Sequence, residues 1–236
     1  MGKLKLVSFD VWDTLLSIRP FYQSVASELA EITGKDSAFL EKRLIEGYKK
    51  IRAIRRAGGF DDSKIVSMTL DIMAKFLNVD SEAITKSILN AAKGSAEQYL
   101  IEGAKEAIGS IKRLGLKVII IGNVVFWPGR INRILLEQVG LSDYIDDQFY
   151  ADEVKISKPK PEIFHKALSE FGVQPEEALH VGDSIFEDFA GAIVARMGAI
   201  LIDGNIEGII GLSGWNAYII PSIKMLKKIV KEFINR

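Results

Sequence analysis

The chain has 236 residues, of which 48% are hydrophobic and 26% are charged, and its 31 basic side chains balance 31 acidic ones. This composition is typical of a globular protein with a sizeable core, and the charge balance gives no sign of nucleic acid or an anionic membrane as a partner. The absence of cysteine excludes disulfides, cysteine-ligated zinc and thiol catalysis.

The sequence shows no targeting or membrane segment. The N-terminal apolar run is short and is interrupted by Lys3 and Lys5, unlike a signal peptide. No stretch approaches the ~20 consecutive apolar residues of a membrane span. We therefore expect a cytoplasmic protein that is a monomer or a homodimer, with no membrane and no nucleic acid among its partners.

The first predicted strand ends at a carboxylate. The apolar run from Leu4 to Phe9 predicts a buried strand, and Asp10 follows it directly. A carboxylate just past the C-terminal end of a strand lies where open α/β sheets bind ligands. The same residue type also caps turns and helices, so this stretch alone leaves both interpretations open.

Residues 17 to 95 have helical periodicity and no strand pattern. Helices are predicted over residues 21–33, 37–57, about 65–77 and 81–93. This block separates the first strand from all the others. It therefore predicts a helical domain, residues 17–100, inserted into a core domain formed by residues 1–16 and 101–236.

Beyond residue 103, strands alternate with helices. Strands are predicted at 116–121, 148–154, 178–181, 199–202 and 217–220, and helices at 104–114, 128–139, 161–171, 186–197 and 222–233. Such alternation predicts an α/β fold, in which helices cover both faces of a parallel, Rossmann-like sheet.

Polar residues that can carry chemistry follow the predicted strands. In a parallel sheet all these strand ends lie at the same edge. We therefore expect three carboxylates, an amide, an ammonium group and a glycine backbone to converge there. These residues are Asp10, Gly122, Asn123, Lys158, Asp183 and Asp188.

In order and spacing, these motifs resemble those of the haloacid dehalogenase superfamily of hydrolases with a helical, C1-type cap after the first strand. The resemblance covers nearly the whole chain. It implies that Asp10 is the nucleophile and forms a covalent aspartyl intermediate that water then cleaves. It also implies that Lys158 neutralises both Asp10 and a small anionic substrate.

The resemblance further implies a Mg²⁺ cofactor and a phosphate site. Carboxylates suit Mg²⁺, which bridges to phosphate oxygens. The implied metal-binding groups are the side chains of Asp10, Asp183 and Asp188, the last of them directly or through water, and the backbone carbonyl of Trp12. The implied substrate-binding groups are Asn123, the backbone at Gly122, and Trp12.

Trp12 departs from the phosphatase pattern, D-x-D-x-T, in which the second Asp is the general acid and base. An indole N–H only donates a hydrogen bond. Asp13 follows one residue too late, and successive side chains of an extended chain point to opposite sides, unless Asp13 swings inward. A bulky aromatic residue at position 12 resembles the pattern of the metal-independent 2-haloacid dehalogenase branch. That branch, however, has Ser in place of Asp183.

Three functions remain open at this point. We favour a Mg²⁺-dependent phosphatase, because a pair of buried carboxylates without a cation would repel each other. The alternatives are a metal-independent 2-haloacid dehalogenase and a weakly active binding protein of the same fold. Gly122, which replaces the usual Ser or Thr, and Trp12 both predict weak turnover or a good leaving group.

The helical block carries a basic face. Arg52, Arg55 and Arg56 lie on one side of a predicted helix, where they either steer anions into the cleft or form a solvated surface. The solvated surface is the simpler expectation, and Glu187 is likewise expected to be a solvated or supporting acid. Arg43 lies about where the dehalogenase branch places an arginine for its substrate's carboxylate.

Overall fold

A seven-stranded sheet organises the part of the chain described by this computed structural model, residues 3–212 and 214–234. The strands lie in the order β3-β2-β1-β4-β5-β7-β6, and all are parallel except β6, which runs antiparallel to β7. They are β1 (Leu6–Phe9), β2 (Lys117–Gly122), β3 (Asp147–Tyr150), β4 (Ala178–Gly182), β5 (Gly198–Ile202), β6 (Ile210–Leu212) and β7 (Ala217–Ile220).

Helices cover both faces of the sheet. They are α1 (Ile18–Thr33), α2 (Ser37–Arg56), α3 (Ile65–Leu77), α4 (Ser81–Lys93), α5 (Ala104–Arg113), α6 (Gly129–Gln138), α7 (Ala151–Val154), α8 (Pro161–Ser169), α9 (Gly191–Val194) and α10 (Leu226–Ile234). None of these helices, within the described ranges, is long and apolar enough to cross a membrane.

Strand alternation builds an apolar layer on each face of the sheet. Val7 and Val118 belong to one buried cluster, whereas their neighbours Leu6 and Ile119 belong to the other, because successive side chains of a strand point to opposite faces. All four side chains are fully buried. The predicted α/β fold with a three-layer, Rossmann-like core is thus confirmed.

Helices α1 to α4 follow one another between β1 and β2, and we call residues 17–100 the helical insert. The chain enters and leaves the insert at one place. The backbone N–H of Ser17 donates to the carbonyl of Tyr99 at 2.7 Å, and that of Ile101 donates to the carbonyl of Leu15 at 2.9 Å. The predicted domain boundaries therefore lie side by side, while the division into a core domain and a cap domain stays a prediction.

Three local expectations are wrong. The strand predicted at 148–154 ends at Tyr150, and its last four residues form α7. The short, exposed strand β6 was not predicted, because three residues carry too little periodicity. The helix predicted at 186–197 begins as a π-helix, Ile185–Ala190, in which the backbone N–H of Phe189 donates to the carbonyl of Ser184 at 3.0 Å.

Candidate active site

A cavity lies between the C-terminal ends of the central strands and helix α2. It has about 480 Å³ of atom-free space including its open mouth. Its sheet side is lined by residues from three strand ends: Asp10, Trp12, Asn123, Asp183, Glu187 and Asp188. Its other side is lined by Tyr48, Arg52 and Arg55 of α2. The parallel order of β2, β1 and β4 brings the three strand ends together.

Lys158 is the buried cation of the sheet side. Its Nζ lies 2.7 Å from Asp10 Oδ1 and 2.6 Å from Asp188 Oδ1, and it also donates to the carbonyl of Ile121 at 2.6 Å. The side chain is 1% exposed. Burial lowers the pKa of Lys158, but the two carboxylates outweigh burial and raise it above its ordinary value. The ammonium group is therefore charged and fixed against Asp10.

Asn123 holds the loop that carries Lys158. The backbone N–H of Lys158 donates to Asn123 Oδ1 at 2.8 Å, and Asn123 Nδ2 donates back to the carbonyl of Lys158 at 3.0 Å. The Nδ2 group also lies 3.3 Å from Glu187 Oε2. Asn123 thus positions Lys158, and its predicted contact with phosphate stays a prediction.

Three carboxylates form a cluster that suits a hard cation. Oxygen atoms of Asp10, Asp183 and Asp188 all lie within 4.8 Å of one another. Burial, together with the nearby Asp10 and Asp188, raises the pKa of Asp183 to about 8. Burial also raises the pKa of Asp10, to about 6, although Lys158 opposes this. Such crowded oxygen donors fit Mg²⁺, which binds carboxylates and relieves their repulsion.

The members of this cluster differ in how many of their oxygens are already bonded. Asp188 Oδ1 accepts from Lys158 and lies 3.2 Å from His180 Nε2, and Oδ2 accepts from the backbone N–H of Ser184 at 3.0 Å. Asp10 and Asp183 therefore fit direct metal ligation best, and Asp188 fits a supporting place beside them. The position of the Trp12 carbonyl as a further ligand stays a prediction.

Trp12 forms an aromatic wall of the cavity. Its ring centroid lies 5.0 Å from that of Phe21 and 5.7 Å from that of Trp127, and Trp12 is 9% exposed. Its buried Nε1 has no hydrogen-bond partner among the described residues. The indole is thus held rigidly at the position where the phosphatase pattern has its general acid.

Asp13 does not point away from the site as strand alternation predicts. Its φ of 56° lies in the left-handed region, which turns the chain after Trp12 and ends the extended backbone. Asp13 Oδ1 accepts from the backbone N–H of Ile18 at 3.1 Å. The residue is exposed and lines the mouth of the same cavity as Asp10.

Gly122 stands where the family usually has Ser or Thr, and packing explains this departure. A Cβ atom at Gly122 would lie only 2.8 Å from two ring carbons of Tyr150. Tyr150 is fully buried, so its ring has no room to give way. The tyrosine therefore takes the space of the missing side chain and leaves only backbone there for a phosphate.

Three arginines of α2 converge on Glu187, and the expectation of a solvated basic face and a solvated Glu187 is wrong. Arg52 Nε lies 3.1 Å and Arg56 Nε 2.8 Å from Glu187 Oε1, and Arg55 Nη2 lies 2.8 Å from Oε2. The Glu187 side chain is 7% exposed. Burial raises its pKa, but Arg55 and Arg52 outweigh burial and hold the pKa at about 2.

A second contact of the insert reaches the Lys158 loop. Asp62 accepts hydrogen bonds from the backbone N–H of Ser157 at 3.0 Å and from its hydroxyl at 2.7 Å. It also pairs with Lys160 Nζ at 2.6 Å. The neighbouring Asp61 caps its own turn by accepting from the backbone N–H of Ser63. Asp62 instead binds Ser157 and Lys160, which lie on either side of Lys158 in the chain.

Arg43 does not lie at the cavity. Its Nη2 donates to the carbonyl of Phe76 at 2.8 Å, and its guanidinium lies 3.6 Å from the centre of the Phe76 ring. It therefore joins α2 to α3 within the insert. The place that the dehalogenase interpretation gave it is not supported.

Comparison with known proteins places this site in a family. A family model for haloacid dehalogenase-like hydrolases matches residues 4–196. A haloacid dehalogenase-like hydrolase domain-containing protein 3 from Xenopus laevis is 30% identical over 210 residues, which is 84% of each chain. A phosphoserine phosphatase from Thermus thermophilus is 26% identical over 228 residues, 86% of this chain and 90% of that protein.

Solved structures share the fold. The putative HAD-hydrolase YfnB from Bacillus subtilis, solved bound to magnesium, gives a TM-score of 0.77 at 17% identity and covers 97% of this chain and 99% of its own. A 2-haloacid dehalogenase from Pseudomonas syringae gives a TM-score of 0.67 at 22% identity over 98% of this chain and 99% of its own. At these identities the likeness extends to the fold alone.

Proposed function

Because the chain belongs to the haloacid dehalogenase-like hydrolases, we propose that it is a Mg²⁺-dependent phosphatase that hydrolyses a small phosphorylated metabolite. One observation carries this proposal, which is the carboxylate cluster of Asp10, Asp183 and Asp188 in the cavity. Lys158 supplies a single positive charge to three carboxylates, so the cluster needs a further cation. Relatives named phosphoserine phosphatase and glyceraldehyde 3-phosphate phosphatase support the same reaction.

The reaction has two displacement steps at phosphorus. Asp10 attacks first, so that a bond forms between its carboxylate oxygen and phosphorus while the bond to the leaving oxygen breaks. Water then attacks the same phosphorus, the bond to Asp10 breaks, and inorganic phosphate leaves. Mg²⁺, when bound, supplies positive charge to the phosphate oxygens.

The chain's own residues position the reactants. Lys158 holds the attacking carboxylate and neutralises charge, and Asn123 fixes the Lys158 loop. Because Trp12 has no proton to give at neutral pH, the leaving oxygen takes its proton from water or from the substrate itself. The helical insert acts as the cap, closing the cavity over the substrate and excluding bulk water.

A Mg²⁺-dependence assay with Asp10→Asn tests the proposal. We expect the wild-type protein to release phosphate from p-nitrophenyl phosphate or from a panel of small phosphate esters, and to stop when Mg²⁺ is chelated. Asp10→Asn removes the nucleophile and should lower kcat by about 10⁴-fold or more. Asp143→Asn, on an exposed turn that does not line the cavity, is the matched control and should keep full activity.

A halide-release assay gives the result that would contradict the phosphatase proposal. If the protein releases chloride from 2-chloropropionate in the presence of a chelator and releases no phosphate from any ester, the phosphatase proposal is wrong. Loss of all turnover in both assays, with ligand binding retained, would instead identify a binding protein of this fold.

A further inference from the structure

Two buried nitrogen atoms beside the cavity have no hydrogen-bond partner. Among the described residues, five buried side-chain polar atoms lack a partner, and two of them, Trp12 Nε1 and Arg55 Nε, belong to residues that line the cavity. A buried donor without an acceptor costs about 1–3 kcal/mol, and native proteins leave few such groups. An acceptor from outside the chain is therefore expected at this place.

Both donors are held in fixed positions by their surroundings. The Arg55 side chain is 6% exposed, and its Nη1 donates to the carbonyl of Val124 at 3.2 Å while its Nη2 pairs with Glu187. These two bonds fix the guanidinium and leave Nε unused. Trp12 is likewise fixed between Phe21 and Trp127. Rigid donors bind a ligand with little ordering cost.

The neighbouring indole has the hydrogen-bond partner that Trp12 lacks. Trp127 packs edge-on against Trp12 and is also buried, but its Nε1 donates to Asn132 Oδ1 at 3.2 Å. The chain therefore supplies an internal acceptor to one of two adjacent indoles. Both indoles line the cavity, where a substrate can supply the acceptor that Trp12 lacks.

The charge on this side of the cavity favours an anionic acceptor. Three guanidinium groups share the single carboxylate of Glu187, so the arginine side carries excess positive charge. Guanidinium groups bind planar carboxylates particularly well. The same cavity is lined by Asp10 and Asp183, so it must also hold the phosphate.

We propose that Trp12 Nε1 and Arg55 Nε bind a carboxylate on the leaving group, so that the substrate is a compact phosphorylated carboxylic acid. This inference rests on the proposed phosphatase function and assigns its substrate class. Trp12 then serves as a specificity residue at the position of the missing general acid. The carboxylate end of the substrate contacts the indole and α2, while its phosphate lies against Asp10.

Matched esters test the inference. Phosphoglycolate and 2-hydroxyethyl phosphate differ only in whether the leaving group ends in a carboxylate or a hydroxymethyl group. We expect kcat/KM to be about 10–100-fold higher for phosphoglycolate, the usual range for hydrogen bonds to a charged group. Trp12→Phe removes the indole N–H, and Arg55→Lys replaces the guanidinium, with its Nε–H, by an ammonium group. Each should reduce this ratio about tenfold.

The ratio separates a specificity role from a structural one. A misfolded or distorted variant lowers kcat/KM for both esters alike, and such parallel losses in both variants would overturn the inference. Trp215→Phe removes an exposed indole and should leave the ratio unchanged.

Binding to Asp10→Asn keeps the inference testable without turnover. Calorimetric titration of this variant with each ester in Mg²⁺ should give a Kd at least tenfold lower for phosphoglycolate. Equal Kd values would overturn the carboxylate site. If the wild-type protein hydrolyses none of the esters but the Kd difference is retained, the phosphatase function is overturned and the carboxylate site is supported.

Discussion

The two sides of the cavity have opposite charge and different origins. On the sheet side a cluster of three carboxylates contains one ammonium group, that of Lys158, which pairs with Asp10 and Asp188. On the helical side three guanidinium groups share one carboxylate, that of Glu187. The first arrangement has an excess of acid and suits a cation, and the second has an excess of base and suits an anion.

The two sides are positioned by different parts of the fold. The sheet side consists of residues directly after strand ends, so the order of the strands alone places them. The helical side depends on how α2 is rotated and how it packs on the loop after β4. The acidic side is therefore set by the order of the strands, whereas the basic side is set by the packing of α2.

Replacing Lys158 should have the largest effect on the acidic side. In Lys158→Met, Asp10 and Asp188 lose their buried cation, so we expect kcat to fall by about 10²–10³-fold or more. The free energy of unfolding of the metal-free protein should fall by about 3–5 kcal/mol, the usual cost of breaking a buried ion pair. Phosphate release and urea unfolding measure the two quantities.

Lys166→Met is the control for this variant, because Lys166 lies exposed on α8. A surface change of this kind should alter the unfolding free energy by no more than about 0.5 kcal/mol. If the two variants unfold at the same urea concentration, Lys158 does not hold the acidic side together.

Replacing Glu187 should have the largest effect on the basic side. Glu187→Gln keeps the shape of the side chain but leaves three guanidinium groups without a carboxylate. Because Arg55 is buried with it, we expect a loss of about 3 kcal/mol in the free energy of unfolding. Glu176→Gln, in an exposed pair with Arg196, should cost less than about 1 kcal/mol.

Acid titration provides a second measurement on Glu187. Its pKa is held near 2, below the ordinary 4.5, so its stabilisation is complete above about pH 4.5 and disappears as the pH falls toward 2. Over this range the wild-type protein should lose about 3 kcal/mol that Glu187→Gln does not lose. Parallel stability curves for the two proteins would contradict the ion-pair cluster.

Asp62 connects the two sides, and its replacement should have an intermediate effect. Asp62→Asn removes the charge that holds Lys160 and weakens the grip on Ser157. We expect about 1–2 kcal/mol lower stability and about tenfold lower kcat, because the adjacent Lys158 loses its exact placement. Asp61→Asn is the matched control, since Asp61 is exposed and caps only its own turn.

A rise in KM with no change in kcat would argue against this role of Asp62. A residue that only closes the insert over the cavity changes substrate affinity, whereas one that positions Lys158 changes kcat. Equal activity of the Asp61 and Asp62 variants would show that the loop holds Lys158 without help from the insert.

The sequence allowed much of the acidic side to be predicted and little of the basic side. Asp10, Asp183 and Lys158 could be placed together because parallel strands end at one edge. The pairing of Glu187 with Arg55 joins residues 132 positions apart, and no local pattern records it. Likewise the orientation of Asp13 is set by a left-handed turn, with a φ of 56°, and not by strand alternation. The order of residues did not reveal this turn.

The smallest effect is expected at Arg43, and it separates the basic side of the cavity from the rest of α2. Arg43→Ala loses a bond to the Phe76 carbonyl and a contact with the Phe76 ring, so stability should fall by about 1 kcal/mol. Activity on every ester should stay at the wild-type level, because Arg43 joins two helices of the insert and does not reach the substrate. A selective loss of activity toward phosphoglycolate in Arg43→Ala would instead move the carboxylate site from Arg55 to Arg43.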